Sequence, residues 1–253
     1  MNNHVLTIVL VSTSAFSAGC ASSTSQAIPG TTGASATGRS DASGRSIASR
    51  ACSSSNTSVA PADGLIADFA DAAAGGIEIP GGIVTYADPK VGGPGSPTYS
   101  TSGGALNIRV NVAPAATPQF AGTMVRFNTC IDASAFAGVR FTIRGAFSGC
   151  SLQYATGDVE HEDVSMGAPF ATGPIGSYPP QNRIAAEDLT STPRTIMAPF
   201  ARTDILGSPA KPIDATKLIF VLWQFIVPVA TEGESGNEKC IGNITIDDIH
   251  FYH

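Results

Sequence analysis

The run GDVEHEDV gathers Asp158, Glu160, His161, Glu162 and Asp163, the densest group of ionisable side chains in the chain. Hydrolysis of a glycosidic bond needs two carboxyl groups on opposite sides of that bond. Carboxyls crowded into one short loop cannot flank a substrate, so a solvated loop is expected here, with calcium binding as the other option. No G-x-S-x-G elbow is present, so a serine hydrolase has no sequence support. His4, His161, His250 and His253 form no H-E-x-x-H pair for zinc. Two other features invite chemistry. Gln224 is the one polar side chain inside KLIFVLWQFIV, and an amide there needs hydrogen-bond partners or a ligand. Asp247 and Asp248 sit side by side near the end of the chain.

The elements that hold these residues read as strands. Only 13% of the 253 residues are charged, while Gly and Pro number 27 and 17; this fits strands and turns rather than long helices. ALNIRVNVA, TMVRFNT, GVRFTIRGAF, CSLQYAT, KLIFVLWQFIV and NITIDDIHFY are rich in Val, Ile, Phe and Thr and are bounded by turn residues. Alternation sets Leu106, Ile108, Val110 and Val112 against Asn107, Arg109 and Asn111, and Val139, Phe141 and Ile143 against Arg140, Thr142 and Arg144. It likewise sets Leu152 and Tyr154 against Ser151 and Gln153. KLIFVLWQFIV is expected to be a central strand buried on both faces, with Ile219, Val221, Trp223 and Phe225 in one row. QNRIAAEDL is the best place for a turn of helix. The expected fold is all-β, a two-sheet antiparallel β-sandwich or jelly roll. A net charge of -6 argues against a nucleic-acid surface, which needs a basic stripe.

The N-terminal region reads differently. VLTIVLVSTSAF has the length of a signal peptide, and SAGC after it resembles the lipobox of bacterial lipoproteins. That resemblance implies a signal peptide over 1–19, lipid on Cys20, anchoring to a membrane and, with Ala21 rather than Asp following, sorting to the outer membrane. Residues 20–60 are mostly Ser, Thr, Ala and Gly. They bury too little to offset ordering entropy and should form a disordered, flexible tether, spanning roughly 35 Å for about 40 residues. The folded domain is then expected over 61–253. Cys52, Cys130, Cys150 and Cys240 remain, an even count that suggests two disulfides in an exported chain. Four cysteines allow three pairings; Cys130 with Cys150, close in sequence around one strand, is the expected pair, leaving Cys52 with Cys240.

GLIADF, GVRFTIRGAFSGCSLQYAT, IDATKLIFVLWQF and ITIDDIHFY, in that order, resemble the jelly-roll carbohydrate-binding modules of the galactose-binding-domain-like superfamily. The resemblance implies that the first and last strands meet and that carboxylates from both hold a structural calcium. Asp68 and one of Asp247 or Asp248 match those positions, Asp247 being favoured because adjacent strand residues point to opposite faces. It also implies a glycan (polysaccharide) site on a concave polar face. Arg109, Arg140, Gln153 and Gln224 would line that face, with Asn107 and Arg144 at its margins. Trp223 or the loop residue Tyr178 would supply an aromatic platform, although alternation puts Trp223 and Tyr154 with the core. Function is thus expected to be non-catalytic glycan binding by a surface-tethered lipoprotein. The alternatives are an adhesion sandwich for a protein or envelope component, or a small glycan-active enzyme. If lipid holds the protein, Cys20→Ser should move it from the membrane pellet to the soluble fraction; an unchanged pellet fraction would refute the anchor.

Overall fold

The computed structural model describes residues 52, 56–70, 76–87, 90–91, 95–115, 119–159, 179–201, 204–205, 208–209, 212–229 and 238–253. Cys20, Tyr178 and the Glu160–Asp163 part of the acidic run lie outside them, as do the signal peptide and most of the tether. Among the described residues fifteen strands follow one another. They are β1 Thr57–Val59, β2 Leu65–Ala67, β3 Gly81–Ala87, β4 Lys90–Val91 and β5 Thr98–Ser100. β6 Leu106–Val112, β7 Gln119–Asp132, β8 Gly138–Ser148, β9 Ser151–Asp158 and β10 Gln181–Ile184 come next. β11 Arg194–Pro199, β12 Asp204–Ile205, β13 Ser208–Pro209, β14 Leu218–Val227 and β15 Cys240–Tyr252 complete the chain.

Two sheets form the sandwich. Sheet A has the order β10-β9-β14-β7-β3-β4, with β1 on β7, and sheet B the order β11-β8-β15-β6-β5, with β2 on β15. β12 and β13 pair separately. Successive strands β6, β7, β8 and β9 alternate between the sheets, the wiring of a jelly roll. The all-β sandwich expected from the sequence is therefore the observed fold. β2, the strand of GLIADF, runs antiparallel to the last strand, β15, while β1 pairs with β7. QNRIAAEDL divides into β10 and a 3-10 turn over Ala186–Asp188, so its first half is a strand where a helix was expected.

The inward rows fill the space between the sheets. Leu106, Ile108, Val139, Phe141, Ile143, Ile244 and Ile246 of sheet B meet Leu152, Tyr154, Val125, Val221, Trp223 and Phe225 of sheet A, all buried. Trp223 stands edge-on to Phe141 at 5.3 Å between ring centroids and 5.6 Å from Tyr154. β14 is central and buried along almost its whole length, as expected. A register irregularity between Leu218 and Phe220 changes its rows. Leu218 joins Val221 and Trp223 in the intersheet core, while Ile219 turns outward with Phe220 and Leu222.

A second irregularity answers the question of the paired aspartates. Asp247 opposes Thr142 and His250 opposes Arg140, so two residues of β15, Asp248 and Ile249, share the space opposite Phe141. Asp248 takes the left-handed conformation (φ 53°) that such an extra residue can require. The bulge restores Ile249 to the core and leaves both Asp247 and Asp248 on the outward side. Strict alternation, which would turn one of the two inward, does not hold here.

The cysteines pair Cys52–Cys130 and Cys150–Cys240, which corrects the pairing inferred from closeness in sequence. β14 lies between β7 and β9, separating Cys130 from the start of β9. Cys150 follows β8 and meets Cys240, which opens the neighbouring β15. Cys52 reaches Cys130 because β1 runs parallel to the end of β7, Thr57 against Cys130. β1, at Thr57–Val59, is thus a strand that precedes Pro61. Non-reducing peptide mapping should recover these two pairs and no other. Replacing both Cys150 and Cys240 by Ser should cost about 2–4 kcal/mol, since their bond closes a long loop, visible as a lower Tm.

Candidate functional site

Each sheet has one face on the core and one facing out, and the outward face of sheet A carries the candidate site. Arg183 of β10 lies opposite Gln153 of β9, and Gln153 opposite Gln224 of β14. Gln224 lies opposite Gly122 of β7, and Gly122 opposite Tyr86 of β3. These residues form one row across five strands, about 19 Å at the usual strand spacing. Gly122 has a direct role in it. A Cβ there would meet the Tyr86 ring at 2.5–2.7 Å; without one, the ring lies over the strand and its hydroxyl accepts a 2.7 Å hydrogen bond from Gln224 Nε2.

The row combines burial with an unmet hydrogen bond. Gln153, Gln224 and Tyr86 are 2–3% exposed. Gln153 Oε1 is buried with no hydrogen-bond partner among the described residues. Trp223 Nε1 and Thr123 Oγ1 share that condition, but they belong to the inward rows of their strands. Arg183, at the β10 edge, is exposed, and Gln181 shares its outward face. An amide presents a donor and an acceptor, a guanidinium a planar fork of donors, and a phenol ring a broad apolar face. Together these groups suit a ligand with alternating hydroxyls and apolar ring faces.

The structure does not assemble the cradle of Arg109, Arg140, Gln153 and Gln224 expected from the sequence. Arg109 and Arg140 project from β6 and β8 of sheet B, on the opposite outer surface of the sandwich from the glutamines. Alternation assigns a side chain to a face of its own strand but not to a sheet. Trp223 is a core residue rather than a platform. Tyr86, Gly122, Gln181 and Arg183 went unrecognised. The outward period of Gln181 and Arg183 was a usable signal, obscured by reading that segment as helix.

The outward face of sheet B carries the arginines and the carboxylates. Arg140 donates to Asp248 Oδ2 at 3.0 Å, and His250 Nε2 stands 2.7 Å from Asp248 Oδ1. Asp247 Oδ1 accepts the Asp248 N–H at 2.7 Å, and Asp68 Oδ1 accepts the Ala70 N–H at 2.9 Å. Both Asp248 oxygens thus serve cationic or imidazole partners. Among the described residues no group of three or more His, Cys, Asp or Glu is placed to hold a metal ion. Asp68 lies near enough to Asp247 for its charge to act on that carboxyl. Nearby, Thr245 Oγ1 bonds Asn107 Oδ1 at 3.0 Å, and Arg109, Asn243 and Arg144 are exposed.

Fold and site together define a jelly-roll β-sandwich with a polar row on one outer face. No protein-family model matches the chain, and no curated protein matches it. Among solved structures it is similar to a family 11 carbohydrate-binding module of a cellulosomal cellulase of Clostridium thermocellum. Identity is 14% over 74% of this chain and 92% of that one, with a TM-score of 0.43. It is also similar to a family 11 module from Clostridium thermocellum in complex with a β-1,3-1,4-mixed-linked tetrasaccharide. There identity is 15% over 67% and 88% of the chains, with a TM-score of 0.39. The glycoside hydrolase domain of Endo-D from Streptococcus pneumoniae R6 matches at 14% identity and a TM-score of 0.32. That match covers 65% of this chain and 21% of the other. At these TM-scores the likenesses carry no residue roles, and the site rests on its own geometry.

Burial is the largest cause raising the Asp247 pKa above the usual carboxylate value. The Asp248 N–H bond opposes it, the charges of Asp248 and Asp68 add to it, and Arg144 opposes it. The folded chain therefore holds this proton more tightly than the unfolded chain does. The stability gained is present at low pH and lost as pH rises through the raised folded pKa. At neutral pH the ionised group weighs against folding. Asp247→Asn, whose Oδ1 can keep the Asp248 N–H bond, should raise Tm at neutral pH, and the gain should vanish below the ordinary carboxylate pKa. A lower Tm at neutral pH would refute this.

Proposed function

We propose that the protein is a non-catalytic glycan-binding module, carried on a surface-tethered lipoprotein, whose ligand engages the row of Gln153, Gln224 and Tyr86 from its exposed end at Arg183. The observation that carries this reading is the Gln153 amide, held 2% exposed on an outward face with its oxygen unpaired. A buried acceptor without a donor costs about 1–3 kcal/mol, a cost that a binding group recovers when its ligand arrives. Sugar hydroxyls donate and accept at once and so match amides. The ligand meets the row from its open end, where Arg183 is exposed.

A second reading has its own observation. The outward face of sheet B is open and polar, with Arg109, Asn111, Asn243 and Arg144 all exposed, as an adhesion surface for a protein or envelope component requires. One variant separates the two readings. Gln153→Leu removes an amide oxygen that bonds nothing in the free protein, so thermal stability should hold or rise, while retardation of the full chain in polysaccharide affinity gels should fall about tenfold. Unchanged retardation would place the ligand elsewhere, and no retardation by any polysaccharide would favour adhesion.

A further inference from the structure

The exposed end of the amide row carries a charge that no described carboxylate pairs. Arg140, Arg194 and Lys217 have carboxylate partners in Asp248, Asp188 and Asp214. Arg183 is exposed and enters no ion pair among the described residues. Glu187 and Asp188 lie in the 3-10 turn just beyond β10, and Asp188 is taken by Arg194. Directly across from Arg183 is Gln153, whose Oε1 has no partner, and cross-strand neighbours on one face stand close enough to share a ligand.

We infer that the ligand is a uronate-bearing polysaccharide, with Arg183 as the specificity-determining residue that reads its carboxylate. This rests on the glycan reading above and names the class of sugar. A guanidinium fork binds a planar carboxylate through two parallel N–H bonds, while Gln153 takes a hydroxyl of the same or the next ring. The formal net charge of -6 repels a polyanion from the protein as a whole. Attraction of an acidic polymer must therefore come from a local cation, and among the described residues Arg183 lies in register with the amide row.

The test is affinity electrophoresis of the full chain in gels containing polygalacturonate, alginate or hyaluronan, each compared with its methyl ester. Esterification removes the charge and keeps the sugar. The acidic forms of at least one polymer should retard the protein about tenfold more strongly than the ester. Arg183→Ala should erase that difference, and Arg183→Lys should restore part of it; both should leave Tm unchanged because the side chain is exposed. Equal retardation by acid and ester overturns the uronate inference and leaves glycan binding standing. Acid-selective retardation that survives Arg183→Ala also overturns it, locating the charge reader elsewhere, as at Arg109 or Arg144. No retardation by these polymers or by a neutral panel overturns both.

Discussion

The register between β9 and β14 is the constraint on which the rest of this structure depends. Trp223 lies opposite Tyr154, and one residue further along Gln224 lies opposite Gln153. The aromatic pair packs inward against Phe141, and the pleat then obliges the amide pair to face outward. A slip of one residue would exchange the two sets and bury amides where rings now pack. The intersheet core therefore does two jobs: it supplies the apolar burial that stabilises the sandwich, and it sets the position of the polar row. Gly122 extends the row by leaving room for Tyr86, which reaches Gln224 from the next strand but one.

Sheet B absorbs its irregularities without disturbing that arrangement. The bulge at Asp248 inserts one residue and returns Ile249 and Phe251 to the core. The cost is an acidic pair on the outward side, which the structure eases by giving Asp248 to Arg140 and His250. Asp247, with less help, carries a raised pKa through burial and its acidic neighbours. The disulfides fasten the same framework at two points: Cys150–Cys240 joins neighbouring strands of sheet B, and Cys52–Cys130 ties the segment that leads into β1 to β7.

Much of the fold was legible because strand alternation is a local property. The six apolar segments read from the sequence are β6, β8, β9, β14, β15 and part of β7, and their inward rows match except at the two bulges. Those bulges escaped because an extra residue leaves no mark in a pattern read one strand at a time. β10 escaped because four residues beside a 3-10 turn show too short a period. The site was legible only in part. Gln224 stood out as an amide in an apolar run and Gln153 as the outward partner of Leu152, and the two do meet. The arginines assigned with them belong to the other sheet.

By itself, then, the order of residues determined which side chains face inward on most strands, that the strands stack as two sheets, and that Gln224 needed a partner. These follow from a two-residue period and from the cost of burying a polar group, both readable within a few neighbouring positions. Only the tertiary structure decided which strand joins which sheet, which cysteines meet, and that Tyr86, Gly122 and Arg183 complete the row. Those outcomes depend on pairings between residues far apart in the chain. The pleat that orients a side chain says nothing about the strand that will lie beside it.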